Sequence, residues 1–101
     1  MAQPQKGKVM RMEDWIEGPV LRVIDGDTFE MQVAVVGAGN DYPYKPVELI
    51  RLSQSAPPPG TEAGEEAKRR LEAHVGGKTV RCYVKSRDPE GYLLSDVTVR
   101  E

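Results

Sequence analysis

With 101 residues, 39% hydrophobic and 30% charged, the chain has room for one small core and the composition of an ordinary globular domain. A formal net charge of -2 excludes a protein that coats nucleic acid by bulk electrostatics, so any phosphate contact has to be local. The single cysteine, Cys82, excludes an internal disulfide, and no stretch approaches the roughly 20 apolar residues of a membrane span.

Residues 1–8 are polar, with Pro4 and Gly7, and read as a disordered tail; the domain is expected over 9–101. No apolar signal core follows Met1, which makes the cytoplasm the default compartment, although a secreted form without its leader would read the same. From Val9 to Ile24 the pattern predicts one strand, or two short ones interrupted at Gly18-Pro19. The pivot is the run Val23-Ile24-Asp25-Gly26-Asp27-Thr28-Phe29. Asp-Gly between alternating hydrophobic residues predicts a two-residue hairpin, with Asp25 and Gly26 at its centre and positive φ at both. That turn does not account for Asp27, which makes Asp27 a candidate functional residue.

Phe29, Met31, Val33 and Val35 alternate with polar or small residues and predict the returning strand; residues 37–45 are a loop, and Val47–Leu52 is a third strand. Three prolines, Pro57, Pro58 and Pro59, force the stretch from Ser53 to Gly60 into an extended loop. Thr61 can cap a helix from about Glu62 to Val75, stopped by Gly76-Gly77. Val80, Cys82 and Val84 alternate with Arg81, Tyr83 and Lys85 as a fourth strand, which places Cys82 inside. Asp88-Pro89-Glu90-Gly91 is a turn, and Tyr92–Val99 a fifth strand. The fold class that follows is mainly β: a five-stranded OB barrel with one helix between strands 3 and 4.

The pivot run, together with Glu48-Leu49-Ile50-Arg51-Leu52, Ala56-Pro57, Gly64 with Ala67, and Gly91 with Leu93-Leu94-Ser95-Asp96-Val97, resembles the staphylococcal-nuclease-like (thermonuclease) family. The similarity covers roughly residues 17 to 99. It implies an OB-fold, calcium-dependent phosphodiesterase acting on DNA and RNA. The family's first calcium-binding aspartate matches Asp27 and its first arginine matches Arg51. The resemblance also implies further helices after the fifth strand, which these residues do not include.

The remaining chemistry of such nucleases is missing. A Gly-Ile-Asp-Ala-Pro-Glu-like run usually follows the first arginine and supplies a second calcium ligand and a water-activating glutamate. Here the two positions fall on Ser55 and Pro58, or without a gap on Ala56 and Pro59. The second arginine belongs where Tyr92 stands, and Pro89 and Glu90 replace a lysine and a tyrosine that grip phosphate and base. A transition-state arginine is worth about 10³ to 10⁵ in the rate of phosphoryl transfer. Calcium takes about 6 to 8 oxygens, so Asp27 as the one assured carboxylate implies about millimolar affinity or worse.

The expectation is therefore a nuclease-like domain with vestigial Asp27 and Arg51, a non-catalytic binding module, and no cofactor beyond weak calcium. Its expected partner is protein or weakly bound nucleic acid, with no membrane contact and a monomeric state. Two alternatives stay open. One is a weakly active calcium-dependent phosphodiesterase with relocated carboxylates, for which Glu62, Glu65 and Asp88 are the nearest candidates. The other is a module that holds single-stranded nucleic acid without cutting it, with Arg81, Lys85 and Arg87 as the candidate surface. Trp15, Tyr42 and Tyr44 could stack on bases in such a module, although packing is the more ordinary use of Trp15.

Overall fold

Period-two burial builds the longest element, β1 (Asp14–Asp25), which buries Asp14, Ile16, Gly18 and Val20 on one face. The computed structural model describes residues 13–100; the tail and the leading part of the first strand, read from the sequence over residues 1–12, lie outside them, as does Glu101. β1 runs unbroken through Gly18-Pro19 and changes partner there. Its first half, Asp14–Pro19, pairs with β5 (Thr79–Arg87), and from Val20 onward it pairs with β2 (Thr28–Gln32). Gly18 is required at the change: a Cβ there would lie 1.9 Å from the Gln32 carbonyl oxygen.

The returning strand is shorter than alternation predicts. β2 ends at Gln32, Val33 donates to the Pro46 carbonyl, and Ala34 donates to the Glu17 carbonyl. The chain then resumes as β3 (Val35–Val36), a two-residue strand on β1. β4 (Val47–Leu52) pairs antiparallel with β2 and parallel with β6 (Leu93–Arg100), and β6 pairs antiparallel with β5. The pairing of β5 with β1 closes the ring β1-β2-β4-β6-β5. This is the five-stranded, OB-like barrel expected from the sequence. The helix α1 (Glu62–Val75) follows the fourth strand rather than the third, because the returning strand is split in two.

The turn at the pivot also differs from expectation. β1 ends at Asp25 and β2 begins at Thr28, so Gly26 and Asp27 form the loop, and Gly26 does not lie in the left-handed region. Glycine is needed for another reason. A Cβ on Gly26 would meet the Cβ atoms of Ala67 at 2.7 Å and Ala56 at 2.9 Å, so its absence lets helix and proline loop close on the turn.

The ends of α1 match their sequence signals. The Thr61 hydroxyl accepts from the Gly64 amide at 3.0 Å, and the Gly76 amide donates to the Glu72 carbonyl. The helix sends Leu71 and Val75 into a core whose largest members are Phe29, Ile16, Met31, Ile50 and Leu93, all fully buried. Burial of each such side chain stabilises by about 1.5–3 kcal/mol. His74 is exposed. Two acids share the buried faces: Asp14 is 5% exposed and Glu48 2%.

Candidate functional site

β2 and β4 bring Thr28 directly opposite Arg51, which puts the two residues matched to the nuclease-like site, Asp27 and Arg51, beside one another. The Thr28 hydroxyl links them: it donates to Asp27 Oδ1 at 2.9 Å and lies 3.5 Å from Arg51 Nε. Asp27 Oδ2 accepts from the Ala56 amide at 3.3 Å, and the Asp27 amide donates to Asp25 Oδ1 at 3.3 Å. Burial alone would raise the Asp27 pKa. Hydrogen bonding with Asp25, Thr28 and the Ala56 amide, with the Arg51 charge nearby, outweighs it and holds the carboxyl below its usual value.

Arg51 is engaged on its other side. Its guanidinium carbon sits 4.1 Å from the centre of the Tyr92 ring, and Nη1 is 3.5 Å from Asp88 Oδ2. Asp88 itself organises the turn, because its Oδ1 accepts from the Glu90 and Tyr92 amides, both at 2.9 Å. The residue standing where the second arginine belongs thus covers the first. The result is one continuous chain of internal contacts: Ala56, Asp27, Thr28, Arg51, then Asp88 and Tyr92.

The loop carrying Ser55 passes close to Asp27, through the Ala56 amide, whereas Pro58 turns to the helix and accepts from the Thr61 hydroxyl at 2.7 Å. Both side chains are exposed and neither is a carboxylate. Of the relocated acids, Asp88 goes to Arg51 and Glu65 Oε2 accepts from the Gly60 amide at 3.4 Å. Among the described residues no group of three His, Cys, Asp or Glu side chains is arranged to hold a metal ion. Each Asp27 oxygen accepts one protein donor, from the Thr28 hydroxyl and the Ala56 amide.

Arg81, Lys85 and Arg87 do not form one surface. Arg81 lies 3.9 Å from the centre of the Trp15 ring and 2.8 Å from Glu17 Oε1, so Trp15 is packed beneath a cation rather than open to stack on a base. Lys85 lies between Glu13, at 2.5 Å, and Asp96, at 3.3 Å. Arg87 turns to the end of the barrel where Tyr44 and Glu48 lie, and lines one cleft with Lys85 but not with Arg81.

That end holds two acids that sequence reasoning passed over. Asp14 accepts from the Asp41 amide, the Tyr42 amide and the Tyr44 hydroxyl, at 2.9, 3.3 and 2.7 Å. Burial, then this bond to Asp14, raises the Tyr44 pKa. Glu48 Oε2 accepts from the Lys45 amide at 2.9 Å. The signal was available in the period-two pattern, which puts Asp14 on the face of Ile16 and Val20, and Glu48 on the face of Ile50.

No family model matches this chain, and no curated protein matches it. Among the described residues no helix is long and apolar enough to cross a membrane.

Proposed function

We propose that the chain is a nuclease-like OB domain of the staphylococcal type that works as a non-catalytic binding module. One observation carries this reading: Arg51, the guanidinium that a phosphodiesterase would turn to its substrate, is stacked on Tyr92 and directed to Asp88. The chemistry of the other positions supports it. Neither Ser55 nor Pro58 supplies the carboxylate that a calcium site or a water-activating base would use there, and Tyr92 carries no positive charge to set against charge building on phosphorus. A protein partner is favoured over nucleic acid by the net charge of -2 and by Glu90 at the turn, where the resemblance calls for phosphate-gripping groups.

The test is incubation of labelled single-stranded DNA with calcium and then with chelator. The expected result is no chelator-sensitive cleavage, and no saturable calcium shift at the Asp27 amide by NMR. Cleavage that chelator stops, and that is lost in Asp27→Ala and Arg51→Ala, would establish an active nuclease instead. Salt-sensitive shifts at Arg51, Arg81, Lys85 and Tyr92 on adding an oligonucleotide would move the partner from protein to nucleic acid.

A further inference from the structure

The ladder between β5 and β6 is irregular between Val84 and Ser86, with Lys85 as the extra residue. Before it, Val80 and Cys82 are buried, and period two would send Arg87 outward with Arg81 and Tyr83. After it, Arg87 stands directly opposite Leu93, which is fully buried, and residues directly opposite share a face. Bulges re-aim side chains in this way. Here the bulge turns an arginine into the mouth of the barrel.

Once there, the guanidinium is held without being consumed. Its Nη1 lies 3.9 Å from Glu48 Oε1 and its central carbon 5.9 Å from the centre of the Tyr44 ring. Neither contact is a hydrogen bond. Glu48 Oε1 is buried and has no hydrogen-bond partner among the described residues, while Oε2 is fixed by the Lys45 amide. Arg87 is thus restrained by charge from behind. Among the described residues neither its guanidinium nor the neighbouring Ser86 hydroxyl makes a hydrogen bond. Both line a cleft of about 580 Å³, walled also by Tyr42, Tyr44, Val84 and Leu93. Small-molecule sites run from about 300 to 1,000 Å³ and occur at barrel mouths.

Hydrogen-bonding geometry selects the ligand. On the same wall, Glu13 is offset by Lys85, and Asp14 spends its oxygens on two amides and the Tyr44 hydroxyl. Arg87 remains as the lining charge without a hydrogen bond, partly cancelled by Glu48 beneath it. With Glu13, Asp14 and Glu48 set against Lys85 and Arg87, the wall carries no excess of positive charge, which disfavours a phosphate dianion and leaves recognition to the guanidinium fork of Arg87. The planar fork of a guanidinium pairs with a carboxylate through two parallel hydrogen bonds, and the tyrosine walls accept a flat body.

We propose that the mouth of the barrel binds a small planar monocarboxylate, its carboxylate on Arg87 and its ring against Tyr42 and Tyr44. This stands independently of the nuclease-like reading. The probes are benzoate and its cationic counterpart benzamidine, each titrated into the 101-residue chain and followed by NMR. Saturable benzoate shifts are expected at the amides of Tyr44, Ser86 and Arg87, with little response to benzamidine. Affinity for benzoate should fall about ten-fold or more in Arg87→Ala, the loss expected for one charge-assisted pair. Arg87→Lys keeps the charge opposite Glu48 and serves if the alanine variant does not fold; it should also weaken binding, because an ammonium lacks the fork. The proposal is overturned if benzamidine saturates these shifts and benzoate does not, if neither probe saturates, or if Arg87→Lys binds benzoate as tightly as the parent chain.

Discussion

Two arginines, Arg51 on β4 and Arg87 on β5, lie on the same barrel and meet an acid and a tyrosine each, yet they end in opposite states. Arg51 has Tyr92 against its face at 4.1 Å and Asp88 at 3.5 Å, and it also reaches Thr28, so three neighbours engage it. Arg87 stands 3.9 Å from Glu48 and 5.9 Å from the Tyr44 ring, near enough to be oriented and too far to be satisfied. The residues that resemble an active site are closed on themselves, and the open donors lie where no motif pointed. Two residues of one type, each set beside an acid and a tyrosine, thus differ in how much of their hydrogen-bonding capacity the fold uses.

The sharpest way to break this comparison is to remove what both regions share. Phe29 is fully buried in β2 and pairs with Ile50 of β4, next to both Thr28 and Arg51. Phe29→Ala should cost about 3–5 kcal/mol, measured by urea unfolding, and loosen both sites together. A loss under about 1 kcal/mol would mean that the barrel wall is not what holds them.

Arg87→Ala should cost about 1–3 kcal/mol, below the usual penalty for breaking a buried pair because Arg87 is itself partly exposed, and above a surface pair because Glu48 is left buried without a counter-charge. Glu48→Met in the same background should recover most of that loss. If it does not, Glu48 is not the cause. Asp27→Ala strands the Thr28 hydroxyl and the Ala56 amide and should cost about 1–2 kcal/mol. Tyr92→Ala should cost the least, about 0.5–1 kcal/mol for an exposed-edge cation–π contact, while raising the exposure of Arg51 to oligonucleotide in an NMR titration.

The same contrast predicts the pH profile. The folded Asp27 pKa lies below its ordinary 3.8, so its stabilisation is present above that value and is lost as pH falls through the folded one. Asp27→Asn should flatten the acid limb. At the mouth the sign reverses: the pKa of Tyr44 lies above its ordinary 10.0, so its stabilisation is present below pH 10.0 and lost as pH rises. Burial pushes Cys82 from 9.0 up to about 12, which adds to the alkaline limb. Tyr44→Phe should therefore shallow the fall above pH 10.0.

Much of the barrel was legible because its signals are local. Thr61 and Gly76 bracket the helix, the alternation at Val80 and Cys82 marks a strand, and the Asp88–Gly91 turn announces itself. What escaped depended on tertiary geometry. Nothing in Val84-Lys85-Ser86-Arg87 reveals which residue bulges, so Arg87 read as an outward companion of Arg81 and Lys85. Gly26 read as a turn residue, although the packing of Ala56 and Ala67 is what forbids a side chain there. Asp27 was singled out because the turn leaves it unexplained, and Arg51 by resemblance, but Tyr92 reads from sequence only as standing at the position of a second arginine, not as a group stacked on Arg51.

The double pairing of β1 bears on how the chain reaches this state. Its second half meets β2 across a two-residue turn and can form early, whereas Glu17 in its first half finds Arg81 only 64 residues later. The ring cannot shut until β2, β4, the helix, β5 and β6 are in hand, so folding should be paced by a late, long-range zippering step, in milliseconds to seconds rather than microseconds. Until then the edges of β1 and β5 stay exposed to other chains, and aggregation during refolding should rise with protein concentration.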